Sequence, residues 1–457
     1  SPGERYDQWR LVRDGGVKVV VGVRSAVFAP LSDIGIIIID EEHESTYKSD
    51  ITPRFHAGDV ARERCIYNGA LLLKGSATPS VESYYQAVKG RTGLLEMTKR
   101  ANNKGLPDVI MVDMRNELSE GNRSVFSRAL SSEISKNMEQ KMQTILFLNR
   151  RGYASFVLCR ECGYTARCVS CNISLTYHAK EGRLICHYCG YTVKMPEICP
   201  KCKSKYIRHF GTGTQKVEEE LKKVFPGIRT VRMDMDTTLK KNSHEKILSS
   251  FREDNIEVMV GTQMIAKGHD FPGVTLVGVL AADSLLNLED FRASERTFQL
   301  VTQVAGRAGR GLHGGRVVIQ TYNTEDFSIK AACRQDYGEF YKNEILIRER
   351  LGYPPFSNVA IIILSGTEDL ETKETLLKIK EYASEEFAKC GVEADVLGPS
   401  RAPLSKINNR YRWRIVIKCG CEDSIIKVFD AIQTRFRKMA NKDRVRMTMD
   451  INPYNMM

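Results

Sequence analysis

Several features that define other protein classes are missing from this sequence. The longest apolar runs fall well short of the ~18 to 20 residues that a membrane-spanning helix needs, so no membrane association is expected. The chain opens on Ser1 and a polar stretch rather than on a basic segment followed by an apolar one, which argues against a secretory signal and for the cytoplasm. There is no internal repeat or low-complexity stretch, which excludes a repeat architecture.

One motif is also absent. The pattern G-x-x-x-x-G-K-[ST], whose backbone amides and lysine cradle the phosphates of a nucleotide, occurs nowhere in the 457 residues. These residues therefore supply no phosphate-cradling loop of that type.

Length and composition set the outline. At about 150 residues per domain, 457 residues suggest three units. The hydrophobic and charged fractions, 42% and 27%, are ordinary for a folded soluble protein. Lys and Arg exceed Asp and Glu by 68 − 56 = 12, which suggests a polyanionic partner such as nucleic acid.

Alternating apolar runs and polar segments predict an α/β fold. VKVVVG (17–22), IGIIIID (34–40) and ALLLKG (70–75) are typical of buried parallel strands, and we assign residues 1–100 to a partial first lobe. After a polar, turn-rich connection, later strands are predicted in TILFLN, IRTVRMD, EVMVGT, VTLVGVLAAD and GRVVIQTY. These place a second lobe at 101–157 and 207–330, interrupted by an insertion at 158–206. Residues 336–457 predict a small α+β domain.

Eight of the 13 cysteines form four Cys-x-x-Cys pairs. Each pair can present two thiolates to one tetrahedral ion, so four pairs predict two structural zinc ions. Only five residues separate Cys162 from Cys168, which makes it awkward for neighbouring pairs to share an ion. We therefore favour a nested arrangement, in which the outer ion is held by Cys159, Cys162, Cys199 and Cys202 and the inner ion by Cys168, Cys171, Cys186 and Cys189.

The end of the strand at 36–39 carries a candidate nucleotide site. Asp40, Glu41, Glu42 and His43 follow it directly, at the carboxyl edge where open α/β sheets bind ligands. Asp40 would hold magnesium and Glu41 would polarise the attacking water. Gly75, Ser76, Ala77 and Thr78 follow the next predicted strand and can sense the phosphate state.

The second lobe carries two further motifs. GTQMIAKGHDF (261–271) follows strand EVMV, and QVAGRAGR (303–310) places Arg307 and Arg310 three residues apart on one helical face. Both arginines could reach a phosphate across a cleft between the lobes. The alternative is an ordinary basic helix exposed to solvent.

Together these motifs resemble those of superfamily 2 helicases: DEEH, SAT, GTQMIAKGHDF and QVAGRAGR. The cysteine insertion narrows the resemblance to the primosomal replication-restart helicases of the PriA type, as do LNRRGY (148–153), FGTGTQ (210–215), GPS (398–400) and RYRWRIVIK (410–418). The resemblance covers nearly the whole chain and implies two RecA-like lobes, the first incomplete.

The resemblance also implies an activity. Such proteins bind stalled forks and D-loops, move 3′ to 5′ on DNA using ATP and Mg²⁺, and start primosome assembly. Implied partners are forked or single-stranded DNA, primosome proteins, the loader of the replicative helicase and single-stranded DNA-binding protein, and a monomer is expected. The implied catalytic residues are Asp40, Glu41, Arg307 and Arg310, and the implied nucleotide contacts are Glu42, His43, Gly75, Ser76, Thr78, Gly268, Asp270 and Gln303.

Two segments are candidates for DNA contact. TYKSDITPRFHAGD (46–59) resembles the aromatic-rich loop of these helicases, with Tyr47, Phe55 and His56 as stacking or relay residues. Arg412 and Trp413 lie in a late segment that mixes cations with aromatics. For the first segment the alternative is a packed surface loop. For the second, a strand with Trp413 packed inward is just as economical.

The missing phosphate loop qualifies the assignment. Such helicases carry it several elements before the acidic strand, together with an amino-terminal DNA-binding domain, and only 39 residues precede Asp40 here. We therefore expect this chain alone to hydrolyse ATP poorly or not at all. A non-catalytic zinc and DNA-binding scaffold and an RNA-directed helicase stay open as alternatives.

Overall fold

The computed structural model describes residues 2–97, 107–148, 156–178, 181–210, 213–234, 237–238, 243–254, 256–266, 271–308, 314–439, 444–454 and 456. Within them, four β-sheets organise the chain. None of the described helices is long and apolar enough to cross a membrane.

The first lobe is built on two parallel strands, Ile36–Ile39 and Leu71–Lys74. Both strands were predicted, but they were expected to be buried. In the structure, Ile38 is 62% exposed and Leu71 is 61% exposed. The lobe also contains helices Pro2–Arg13, Ala57–Asn68 and Val81–Val88 and the 3₁₀ turns Arg24–Phe28 and Ser45–Tyr47.

The strand predicted at residues 17–22 is wrong. The structure has no strand there, and Val19 and Val21 are 78% and 92% exposed. A strand needs a neighbour to take its backbone hydrogen bonds, and an apolar run alone cannot provide one.

The second lobe is a six-stranded, all-parallel sheet of the RecA-like type. Its strands lie in the order Thr230–Met233, Val258–Gly261, Gln143–Leu148, Val274–Leu280, Arg316–Thr321 and Asp108–Asp113. Hydrophobic clusters cover both faces, as parallel sheets require. The helices of this lobe are Met114–Ser119, Arg128–Glu139, Thr214–Val224, Ser243–Glu253, Gln263–Ala266, Asp283–Leu286, Ala293–Ala305 and Phe327–Arg334.

The five predicted strands of this sheet are present, but the sixth was missed. Asp108–Asp113 lies in the stretch interpreted as a polar connection, and it pairs with Arg316–Thr321 at the edge of the sheet. Its apolar run VIMV (109–112) is short and stands in a polar stretch, so its pairing and not its sequence pattern identifies it as a strand.

The cysteine module, residues 156–210, is inserted between strand Gln143–Leu148 and helix Thr214–Val224. Its antiparallel sheet has the order Thr192–Lys194, Arg183–Ile185, Thr176–His178, Phe156–Cys159 and Ile207–Phe210. The module contacts the rest of the protein through both backbone and side-chain groups. Tyr353 donates its hydroxyl proton to the carbonyl of Cys171 at 3.1 Å, and His187 Nδ1 lies 2.7 Å from the carbonyl of Arg401. Ser174 donates its hydroxyl proton to the side-chain oxygen of Asn287 at 2.8 Å.

The C-terminal domain is the predicted small α+β unit. It begins with helix Tyr337–Leu351 and strand Asn358–Gly366. Asp336 caps the helix by accepting from the amide of Glu339 at 2.8 Å, and Gly352 ends it in the left-handed conformation. An antiparallel sheet follows in the order Ala394–Ile407, Arg410–Cys419, Asn358–Gly366 and Val445–Ile451, with helices Asp369–Lys389 and Glu422–Arg437.

Gly163 is a close contact between the cysteine module and the second lobe. Its φ is +73°, and a Cβ added there would lie 2.3 Å from the carbonyl oxygen of Tyr322. Because that neighbour is backbone, it cannot move aside cheaply. The module can therefore sit in this position only with glycine at residue 163.

We expect Gly163→Ala to lower the melting temperature more than Gly121→Ala does. Gly121 has a φ of +88° but no atom within 4 Å of an added Cβ, so its variant reports backbone strain of roughly 1–2 kcal/mol. Gly163→Ala adds an overpacking cost of about 1–3 kcal/mol. Calorimetry of both variants makes the comparison, and equal melting temperatures would contradict this docking.

Candidate nucleotide site and cysteine clusters

The acidic motif and the SAT motif meet at the carboxyl edge of the first-lobe strands. The amide of Gly75 donates to the carbonyl of Ile39 at 2.8 Å, and the amide of Glu42 donates back to the carbonyl of Gly75 at 3.0 Å. His43 Nδ1 lies 2.7 Å from the hydroxyl oxygen of Ser76. The ladder of the parallel pair thus brings two motifs together that are more than 30 residues apart.

Asp40 and Glu41 stand at this edge with carboxylates accessible to solvent. Asp40 accepts a hydrogen bond from the amide of Glu41 at 2.9 Å. Glu41 has a φ of +46°, which is a strained conformation for glutamate and is concentrated at functional sites in folded proteins. Oxygen donors on an exposed edge are suited to magnesium and to orienting a water molecule.

Glu42 has a structural role in this arrangement. It is 5% exposed and accepts from the amide of Ser80 at 2.6 Å and from the hydroxyl of Ser83 at 2.9 Å. These contacts hold the start of helix Val81–Val88, which directly follows the SAT motif. Thr78, also predicted as a nucleotide contact, is buried, and its amide donates to the hydroxyl of Ser76 at 3.0 Å.

Helix Ala293–Ala305 of the second lobe faces these motifs. Glu295 accepts from the amide of Val81 at 2.9 Å, and Gln299 donates to the carbonyl of Thr78 at 3.4 Å. Gln303 and His43 line the same small cavity. The two lobes therefore meet along the predicted motifs.

The predicted arginines are only partly placed by the structure. Arg307 lies two residues beyond the end of that helix and is half-buried. Arg310, Gly268 and Asp270 lie outside the described residues. Their roles stay predictions.

A buried ion cluster adjoins this contact, and the sequence analysis missed it. Arg348, 1% exposed, lies 2.7 Å from Glu295, 2.9 Å from Glu344 and 3.3 Å from Glu82. Although burial works against it, Arg348 and Arg292 lower the pKa of Glu82. The cluster joins both lobes to the C-terminal domain. Its one sequence signal is the four-residue spacing of Glu344 and Arg348 on one helix, which says nothing of Glu82 or Glu295.

The aromatic-rich loop is packed against its neighbours. The Tyr47 hydroxyl donates to the carbonyl of Asp40 at 2.6 Å, and burial raises the pKa of Tyr47. Phe55 meets Phe28 edge to face at 4.8 Å, and His56 stacks on Tyr454 with ring centres 5.3 Å apart. These contacts match the packed-loop alternative, while the hydroxyl of Tyr47 ties the loop to the acidic motif.

Trp413 is half-buried in the C-terminal sheet. Its indole N–H donates to Asp369 at 2.8 Å, and Arg401 lies 4.9 Å from its ring centre. Arg412 donates to the carbonyl of Leu404 at 3.3 Å, and burial lowers its pKa. Cations and aromatics in this segment therefore stack on each other within the domain.

The eight cysteines gather in the nested arrangement that the spacing predicts. Within each group, the sulfur atoms lie within 4.8 Å of one another. The groups are Cys159, Cys162, Cys199 and Cys202, and Cys168, Cys171, Cys186 and Cys189. All eight are free thiols.

Four similar turns build these groups. After each pair, the next residue donates its amide to the carbonyl of the first cysteine at 2.8–2.9 Å. That residue has a positive φ in every turn, at Gly163, Asn172, Gly190 and Lys203. The turn aims both thiols of a pair in one direction.

The sulfur positions fit zinc. Four sulfurs bonded to one ion at ~2.3 Å stand about 3.8 Å apart in a tetrahedron. Here Cys159–Cys202, Cys162–Cys199 and Cys168–Cys189 have sulfurs 3.6 Å apart, far beyond a disulfide bond. Burial raises the pKa of Cys162 to about 12, whereas backbone hydrogen bonds lower the pKa of Cys199 to about 7 despite its burial. A bound cation would stabilise all four as thiolates.

Parts of this chain match known protein families. Three family models match: the primosomal protein N C-terminal domain (residues 349–454), the PriA DNA helicase Cys-rich region (168–194) and the helicase conserved C-terminal domain (201–312).

Curated relatives match almost the entire chain. The replication restart protein PriA of Bacillus subtilis is 47% identical over 100% of this chain and 56% of its own length. Those of Synechocystis and Treponema pallidum are 42% and 38% identical, over 99% and 100% of this chain and 55% and 68% of theirs. The chain thus spans little more than half the length of the first two relatives.

We expect purified protein to contain about two zinc ions per chain by elemental analysis. Cys171→Ser should remove one ion, because three ligands bind zinc far more weakly than four. The exposed Cys390 lies outside both groups, so Cys390→Ser should keep two ions. A stoichiometry of one or none in the unaltered protein would contradict the nested sites.

Proposed function

This chain belongs to the PriA family of replication restart proteins, and from that premise we propose that the complete protein is an ATP-dependent DNA helicase that moves 3′ to 5′, recognises stalled forks and D-loops, and initiates primosome assembly. The observation that carries the proposal is the meeting of the DEEH and SAT motifs with helix Ala293–Ala305 across one interface between the lobes. ATP hydrolysis can move two lobes only if both contact the nucleotide.

The chain's own residues have distinct tasks in this proposal. Bound Mg²⁺ would neutralise charge on the phosphates. Asp40 would hold the ion at the exposed strand edge, and Glu41 would orient the attacking water. Arg307 and Arg310 would approach from the second lobe and stabilise charge on the transferred phosphoryl group.

The isolated chain is proposed to be a poor ATPase. The 457 residues contain no G-x-x-x-x-G-K-[ST] loop, so no backbone amides and lysine of that type hold the β- and γ-phosphates in line. We assign hydrolysis to the complete protein, in the cytoplasm. By its family, its partners are primosome proteins, the loader of the replicative helicase and single-stranded DNA-binding protein.

DNA contact is proposed for Tyr47, Phe55, His56, Arg412 and Trp413. The loop of Tyr47 is the best supported, because its hydroxyl donates to the carbonyl of Asp40. DNA that displaces this loop would change the position of the acidic motif. Such a contact would couple DNA binding to hydrolysis.

In the complete protein, we expect Arg307→Ala to lower DNA-stimulated ATP hydrolysis by about 10³-fold, as loss of an arginine finger does. Glu41→Gln should have a comparable effect while DNA binding is kept. Arg334→Ala is the matched control, because Arg334 is exposed and forms an ion pair with Glu339 at 3.0 Å, away from the contact between the lobes. Steady-state hydrolysis with and without DNA provides the measurement.

Normal turnover in Arg307→Ala would reassign this residue to structure. Polarity is tested with partial duplexes that carry a 3′ or a 5′ single-stranded tail. Unwinding that starts only from the 5′ tail would overturn the proposed direction. Stronger stimulation by RNA than by DNA would favour an RNA-directed motor.

A further inference from the structure

One face of helix Ala293–Ala305 contacts successive parts of the first lobe. Glu295, Gln299 and Gln303 are four residues apart and so lie above one another on an α-helix. Glu295 accepts from the amide of Val81, Gln299 donates to the carbonyl of Thr78, and Gln303 lines the cavity beside His43. Arg307 follows the same helix. Glu295 therefore fixes one end of a helix that leads to Arg307.

Glu295 is held in place by a residue from another domain. Its second carboxylate oxygen lies 2.7 Å from Arg348, which belongs to helix Tyr337–Leu351. The remaining nitrogens of Arg348 are also fixed, by Glu344 at 2.9 Å and by the carbonyl of Pro354 at 3.1 Å. A guanidinium held on all sides and 1% exposed leaves Glu295 little freedom to move.

The segment that follows helix Tyr337–Leu351 contacts the cysteine module. Tyr353 lies five residues after Arg348, stacks on Phe291 with ring centres 4.6 Å apart, and donates to the carbonyl of Cys171. Lys418 of the C-terminal sheet lies 4.1 Å from the centre of the Tyr353 ring. The residues around Arg348 thus contact the second lobe, the cysteine module and the C-terminal sheet, in addition to the first lobe.

We propose that Arg348 is a positioning residue for the helicase reaction: through Glu295 it holds helix Ala293–Ala305, and with it Arg307, in register against the SAT motif. The inference rests on the proposed function and adds to it a role for the C-terminal domain inside the motor. Arg348 touches no nucleotide and acts only through Glu295.

Burying an ion cluster between domains costs desolvation free energy. Apolar residues of similar volume often stabilise such an interface as well or better. What the cluster provides is geometry, because a guanidinium offers its donors in a fixed planar fork. Residues far from the chemistry can change a rate by about 10²-fold when they misplace a reacting group by ~1 Å.

The amide of Val81 gives a direct readout, because its acceptor is the side chain of Glu295. In the present chain, Glu295→Ala should speed hydrogen exchange at this amide about tenfold by removing the acceptor. Arg348→Met leaves the acceptor but removes its support, and should have a similar effect. Arg334→Met, in an exposed pair on the neighbouring helix, should have none. Exchange is followed by mass spectrometry of peptides spanning 77–88.

In the complete protein, Arg348→Met should lower kcat of DNA-stimulated ATP hydrolysis by ten- to about 100-fold, while the Kd for single-stranded DNA changes less than about twofold. Because Arg348→Met alone leaves carboxylates unpaired, the double variant Arg348→Met/Glu295→Gln tests the role at lower cost to stability. Its melting temperature should lie closer to that of the unaltered protein, yet its kcat should stay low.

Unchanged exchange at Val81 in Arg348→Met would overturn the proposal. So would faster exchange together with normal hydrolysis, since register would then not matter for the reaction. Absence of DNA-stimulated hydrolysis in the unaltered complete protein would instead count against the proposed function, and the exchange result would still decide whether Arg348 holds Glu295.

Discussion

The guanidinium of Arg348 is the constraint on which the arrangement of domains depends. It is buried among carboxylates from the first lobe, the second lobe and its own helix, at 3.3 Å from Glu82, 2.7 Å from Glu295 and 2.9 Å from Glu344. Removing one partner from a buried ion pair costs about 3–5 kcal/mol. The three parts therefore have to come together in one geometry, which is also the geometry that brings SAT and helix Ala293–Ala305 into contact.

The cysteine module solves a different problem. Its strands are three or four residues long, too short to enclose a large core of their own. Two cysteine groups replace that core, and each is made by turns with a left-handed residue after the second cysteine. Four sulfurs within 4.8 Å of one another suit a bound zinc ion, whose charge would offset that of the thiolates.

The aromatic and cationic side chains that are candidates for DNA contact pack against other residues of this protein. Trp413 lies against Arg401 and Asp369, and His56 against Tyr454. Such pairs hold the side chains in one arrangement within the protein. The contact between Tyr47 and Asp40 places one of these aromatic residues within a hydrogen bond of the acidic motif.

Sequence alone determined the properties that local spacing carries. Thiol pairs at fixed intervals predicted both metal groups and their nested partners. Apolar runs predicted five strands of the second-lobe sheet. Sequence alone did not predict the features that depend on contacts between distant segments. The valines of 17–22 form no strand without a partner, the edge strand Asp108–Asp113 is defined only by its pairing, and Glu82, Glu295 and Arg348 have no shared pattern along the chain. Only tertiary structure could bring those charges together, because a buried ion pair is specified by distance in space and not by distance in sequence.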